Sequence, residues 1–162
     1  MDDAEAFGAL SAALDYPMFV VTAAAGEERA GCLVGFATQC SLDPVRFVVF
    51  LSRQNRTCRV AQRTDVLAVH LLRADQEPLA ELFGAHTGDD VDKFARCRST
   101  PGFEGVPLLD DCPNRLVGRV LEKVDGGDHL GFLLDVVEAR ASDPGAPLMF
   151  QQVRDLEPGH PA

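Results

Sequence analysis

The spacing of apolar and polar positions changes several times along the chain, and each change marks an element. In "AEAFGALSAAL", residues 4–14, Phe7, Leu10 and Leu14 recur at helical spacing, which predicts a short amphipathic helix ended by Tyr16-Pro17. Residues 18–24 are apolar and partly β-branched, "AGEER" is turn-like around Gly26, and residues 30–37 are apolar again, so the pair reads as a hairpin. A turn follows at 42–44, because Pro44 removes a ladder donor and biases Asp43 toward extended geometry. The next run, "VRFVVFLS" at 45–52, is the clearest strand, and its near-continuous apolar character predicts burial on both faces.

Beyond it, "NRTCRVAQRT" switches to helical spacing, with Cys58 and Ala61 on one side, arginines on the other, and Asn55 or Thr57 to cap its start. "DVLAVHLL" is a second buried strand. "DQEPLAELFG" is a helix opened by Asp75, with Pro78 in its first turn and Gly84 at its end. Residues 86–111, rich in Gly, Asp, Pro and Thr, read as a long loop holding one helical turn at "DDVDKFA". "RLVGRVLEKV", the turn "DGGD" and "HLGFLLDVVEA" form a long hairpin, followed by a short strand "PLMF" and a polar tail over 151–162. Strands arrive in hairpins and runs without βαβ alternation. The expected fold is therefore mainly β, an antiparallel barrel with several short peripheral helices.

Composition narrows the function classes. A chain of 162 residues with 46% hydrophobic content fits one globular domain spanning 1–162, its first 15 residues forming the N-terminal helix. No apolar run approaches the roughly 20 residues needed to span a bilayer, and "MDDAEAFGAL" is acidic where a secretory signal is basic, so a cytoplasmic location is expected. A net charge of -10 argues against a nucleic-acid or anionic-membrane surface. The five cysteines include no C-x-x-C pair, which predicts reduced, mostly buried thiols. His70, His86, His129 and His160 lie far apart, so no metal site is expected. Rossmann, P-loop, zincin and nucleophile-elbow motifs are all absent.

One window breaks the acidic pattern. Between residues 44 and 64 there is no Asp or Glu, while Arg46, Arg53, Arg56, Arg59 and Arg63 all fall there. "SRQNRT" leaves a buried strand and opens a helix, so its hydroxyls, amide, arginines and free backbone N–H groups can converge on an anion. A capped helix with solvated arginines is the rival reading, and the acid-free window favours the anion site. "GFATQCS", residues 35–41, carries small side chains that leave room for a flat ring against backbone; alternatively it is a bulged edge strand kinked at Gly35.

Taken in order, "MFVVTA", "GFATQCSLDPVRFVVFLSRQNRT", "LAVHLLRADQEPLAELFG", "DKFA", "GVPLLDDC" and "GDHLGFLLDVVEA" resemble the flavin reductase-like, FMN-binding split-barrel family, over roughly residues 16–150. The resemblance implies a homodimeric split β-barrel that binds FMN, with FAD as the alternative. It implies NADH or NADPH as electron donor and a partner flavin-dependent monooxygenase as recipient of reduced flavin. It places Gly35, Phe36, Ala37, Thr38, Gln39, Cys40 and Ser41 along the isoalloxazine and ribityl chain, and Phe83 beside the cofactor. Ser52, Asn55, Arg56 and Thr57 would meet the phosphate, with Lys93 as a second cation, and His129 would stand near flavin and nicotinamide. Where relatives commonly have Ser-Ser-Phe-Thr-Ser-Val-Ser this chain has lost several hydroxyls, so backbone contacts carry more of the binding, and Phe150 stands in place of a tyrosine.

The cofactor would supply the chemistry, with hydride passing from nicotinamide to flavin N5. For His129 the alternative is a hairpin-turn residue bonded to Asp128. For the protein the alternatives are a non-catalytic flavin carrier or sensor, a barrel using a deazaflavin, and an interaction module.

Overall fold

The computed structural model describes residues 1–89, 91–142 and 145–156. Its centre is one seven-stranded sheet in the order β2-β1-β5-β8-β9-β4-β3, and every pairing in it is antiparallel. The strands are β1 (Phe19–Ala25), β2 (Glu28–Val34), β3 (Ala37–Ser41), β4 (Arg46–Ser52) and β5 (Val66–Leu71). The long hairpin of β8 (Arg115–Asp125) and β9 (His129–Arg140) completes it, and β6 (Ser99–Pro101) pairs with β7 (Pro107–Leu109) as a separate small hairpin. The sheet curls far enough for β2 to approach β4, and β2 and β3 remain its two ends. The mainly β, antiparallel expectation thus holds, in an opened form.

Burial explains the curl. Val21 and Cys32 from β1 and β2, Val49 and Leu51 from β4, and Leu130, Phe132 and Leu134 from β9 share one core with Cys58, Val60 and Ala61 of helix α2 (Arg56–Ala61). Asn55 caps that helix, its Oδ1 accepting from Thr57 N at 2.8 Å. Strand β5 is buried on both faces as expected. In β4, Val49 and Leu51 are buried while Phe50 is half-buried and faces the cavity described below, so burial on both faces is not observed there.

Several local expectations are corrected. Residues 30–37 do not run as one strand. The chain bends at Gly35-Phe36, because β2 pairs with β1 while β3 must pair with β4, and Phe36 O takes the hydrogen bond from Phe50 N at 2.8 Å. Helix α3 (Glu77–Gly84) is preceded by Gln76 rather than opened by Asp75; the Gln76 amide accepts from Arg73 N and donates to Asp111 O instead of capping the helix. The 86–111 segment contains the β6–β7 hairpin as well as a 3₁₀ turn at Lys93–Ala95. Residues 147–149 make only isolated bridges, Arg73 with Pro147 and Pro17 with Met149, since proline gives no ladder donor; Phe150 opens a short helix, α4 (Phe150–Val153). The N-terminal helix α1 (Asp3–Ala12) forms with a capping box between Asp2 and Glu5, yet none of its residues is buried. The tail beyond Leu156, including His160, lies outside the described residues.

Candidate functional site

A cavity of about 420 Å³ opens beside the bend between β2 and β3. Its walls come from elements distant in sequence. The segment before β1 gives Tyr16, the bend gives Gly35 and Phe36, β4 gives Phe50 and Ser52, α3 gives Phe83, the following loop gives His86, β9 gives His129, and the C-terminal segment gives Phe150 and Arg154. Aromatic side chains share this wall with aliphatic ones such as Met18, Leu33, Val34 and Leu51. Tyr16 and Phe150 stack with centroids 4.8 Å apart and planes 16° apart, and Phe36 stands between Tyr16 (6.4 Å) and His129 (5.1 Å). Gly35 is required here because any Cβ would run into the Tyr16 ring. Gly131 plays the same part on β9, where a Cβ would lie 2.6 Å from Phe50 Cε1.

The polar side chains that line the cavity include Ser52, Asn55, His86, His129 and Arg154. His129 opens β9 directly opposite Ser52, and its Nδ1 donates to Asp128 Oδ1 at 2.7 Å. Arg53 fixes the turn that presents it: Nε donates to Gly127 O (2.8 Å), Nη2 pairs with Asp125 (2.9 Å), and the backbone N bonds Asp128 O (3.0 Å). The Gly127 N–H and then Arg53 hold the Asp125 carboxyl below its ordinary value. The hairpin-turn bond expected as the alternative for His129 is thus present, and the same ring lines the cavity.

The other residues expected at the site are distributed differently. Ala37 and Thr38 line an adjoining apolar groove with Leu14, Phe19 and Phe47, and Gln39 joins Cys40 and Ser41 in an open depression at the following turn. Arg56, Thr57 and Lys93 meet in a narrow crevice away from the cavity. Arg56 donates to Arg29 O (2.9 Å) and pairs with Glu28 (3.1 Å). Arg63 also pairs with Glu28 (2.7 Å), and Arg59 Nη2 reaches both Asp89 oxygens at 2.7 and 3.0 Å. The window without acids along the chain is thus matched by acids in space, from the start of β2 and the loop after α3. Thr57 is buried, and Lys93 Nζ donates to the backbone oxygens of Gly31 and Phe83, each at 3.0 Å.

The sequence model described as a flavin reductase like domain matches residues 11–157. The chain belongs to this flavin reductase-like family. An NADH-dependent FMN reductase of Streptomyces nodosus subsp. asukaensis is 31% identical over 134 residues, which are 80% of this chain and 71% of that one. Among solved structures, an NADH:FAD oxidoreductase of Streptomyces globisporus superposes with a TM-score of 0.81 at 25% identity, covering 91% of this chain and 88% of the other. A nitrilotriacetate monooxygenase component B from Mycobacterium thermoresistibile shares the fold with a TM-score of 0.80 at 21% identity, covering 91% and 82%.

Of the residues expected from the resemblance, Gly35, Phe36, Ser52, Asn55, Phe83 and His129 line this cavity. Tyr16, Phe50, His86 and Arg154 were missed as site residues, and each reads locally as something else: a helix end, a strand residue, a loop histidine, a tail arginine. Only the pairing of distant segments brings them to the cavity. Among the described residues no cluster of metal-ligating side chains occurs, and no helix is long and apolar enough to cross a membrane.

Proposed function

We propose that this protein is an NADH-dependent flavin reductase that binds FMN, or FAD in its place, in the cavity beside Gly35 and Phe36. One observation carries the reading: a cavity of about 420 Å³, walled by Tyr16, Phe36, Phe50, Phe83 and Phe150 together with aliphatic side chains, also presents the hydroxyl of Ser52, the amide of Asn55 and the imidazoles of His86 and His129. That volume lies within the roughly 300–1,000 Å³ usual for small-molecule sites. The donor set suits a flat ring with a polar tail. Ser52 and Asn55 would hold the phosphate end, and the Gly35–Phe36 bend with its aromatic neighbours would hold the ring, extended by the backbone of residues 37–39 along the adjoining groove. When bound, the flavin accepts hydride from the nicotinamide and passes the reducing equivalents on.

The chain's own part is binding, orientation and exclusion of water. His129, oriented by Asp128 and by the turn that Arg53 fixes, closes one side of the cavity together with Phe36. It is the residue assigned to the nicotinamide side. The related proteins named for FMN and NADH support the cofactor and the donor, and the likeness to a monooxygenase component supports a partner monooxygenase as recipient of reduced flavin. A single domain, a homodimer and a cytoplasmic location complete the reading. Leu42, Val45 and Phe36 are exposed apolar side chains around β3 that a second copy could cover, and all five cysteines are free.

The test is spectroscopic. Protein mixed with FMN under anaerobic conditions should lose the visible flavin absorbance on addition of NADH, much faster than FMN and NADH alone. Flavin bound without bleaching would favour a carrier, and a protein that binds no flavin would overturn the reading. A variant checks the site itself. Gly35→Val should weaken flavin binding roughly tenfold, because overpacking of at least ~1.4 kcal/mol drives Tyr16 off Phe150 and into the ring space. Flavin fluorescence quenching measures this, and equal affinity in the variant would remove the ring from this wall.

A further inference from the structure

We propose that His86 is the residue that recognises the anionic phosphate monoester of the flavin and makes the site selective for FMN over riboflavin. This rests on the flavin reading above. The cations first expected to do this are engaged elsewhere: Arg56 by Glu28 and a backbone carbonyl, Lys93 by two carbonyls in the protein interior. The cavity wall itself offers His86, His129 and Arg154. His129 gives one ring nitrogen to Asp128, and Arg154 Nη1 donates to Gln151 Oε1 at 2.7 Å. His86 is half-buried and lines the same cavity as Ser52 and Asn55, and among the described residues its ring makes no hydrogen bond or ion pair.

The loop that carries His86 is nonetheless held in place. Asp89 is fastened to Arg59, Val91 N bonds Thr87 O at 3.0 Å, and Lys93 ties the far end of the loop to Phe83 O at the end of α3. An imidazole with no partner among the described residues, on an anchored loop that lines the cavity, is placed to donate to an anionic oxygen. A hydrogen bond to a charged group commonly changes affinity ten- to a hundredfold.

Dissociation constants for FMN and for riboflavin, measured by fluorescence quenching on the wild type and on His86→Ala, His86→Lys, Arg154→Ala and Arg56→Ala, test the assignment. The wild type should prefer FMN at least tenfold. His86→Ala should bring FMN down to the riboflavin level while riboflavin binding, which also reports folding, stays the same. His86→Lys should keep the preference, and Arg56→Ala and Arg154→Ala should not abolish it. A preference that survives His86→Ala, that disappears instead with Arg154 or Arg56, or that the wild type lacks would overturn the assignment and leave the flavin site standing. Wild-type protein that binds neither flavin would sink the flavin site as well, so the two failures are distinct.

Discussion

Acidification from neutral pH to about pH 4 should cost the fold about 3 kcal/mol through His70 alone. His70 is fully buried in β5; its Nδ1–H donates to Val20 O (3.0 Å), and its Nε2 accepts from Leu109 N (3.0 Å). These partners need the neutral ring, because a second proton would face an N–H group. Burial pushes its pKa down from 6.5 to about 4, with Arg115 acting in the same direction against the Val20 hydrogen bond. The unfolded chain therefore binds the proton first as pH falls. The contribution is complete above pH 6.5, is lost across the window from 6.5 to about 4, and falls no further below it. Urea unfolding of the wild type and of His70→Gln over this window measures the effect. The variant should be less stable at neutral pH and should lose most of the slope. Parallel pH profiles would show that carboxylates, not His70, govern acid stability.

The same histidine shows which part of the architecture could be read from the chain. The pattern of "DVLAVHLL" predicts a buried strand, and β5 is one, flanked by β1 and β8. That His70 would bridge β1 and the small β7 strand is not a periodic property, since it depends on residues 50 and 39 positions away. The hairpins were legible for a related reason: β1–β2 and β8–β9 are local pairings with turn residues between apolar runs. The break at Gly35-Phe36 was legible only as the alternative of a bulged edge strand kinked at Gly35, because a strand that changes partners keeps its apolar composition on both sides of the change.

Charge shows the same limit more sharply. A stretch of 21 residues without acids looks like a positive surface, yet Glu28, Asp89 and Asp125 fold onto four of its five arginines, leaving little free charge at the helix start. Motif residues fared better. Gly35, Phe36, Ser52, Asn55, Phe83 and His129 lie on one cavity because the resemblance carried information about tertiary structure that spacing alone lacks.

Replacing Lys93 by methionine should lower stability by about 2–4 kcal/mol, by the usual cost of leaving buried hydrogen-bonding groups unpaired. Lys93 as a whole is only 4% exposed, and its ammonium closes two gaps at once: it satisfies Phe83 O, one of the carbonyls the end of α3 leaves without a helical partner, and Gly31 O on β2. Burial pulls its pKa below the ordinary value, so part of its hydrogen-bond energy is spent on desolvation. Methionine fills the stem but supplies neither donor nor charge, and the Phe83 ring, 5.6 Å from Nζ, loses its cation. Because Lys93 anchors the loop that bears His86, the variant should also weaken FMN binding while changing riboflavin binding less, and amide exchange should quicken across 86–93. Guanidinium unfolding gives the stability term and flavin titration the functional one. A variant as stable as the wild type would mean that desolvation of the ammonium cancels its two hydrogen bonds, whereas lost stability with an unchanged FMN-to-riboflavin ratio would uncouple this anchor from the cavity.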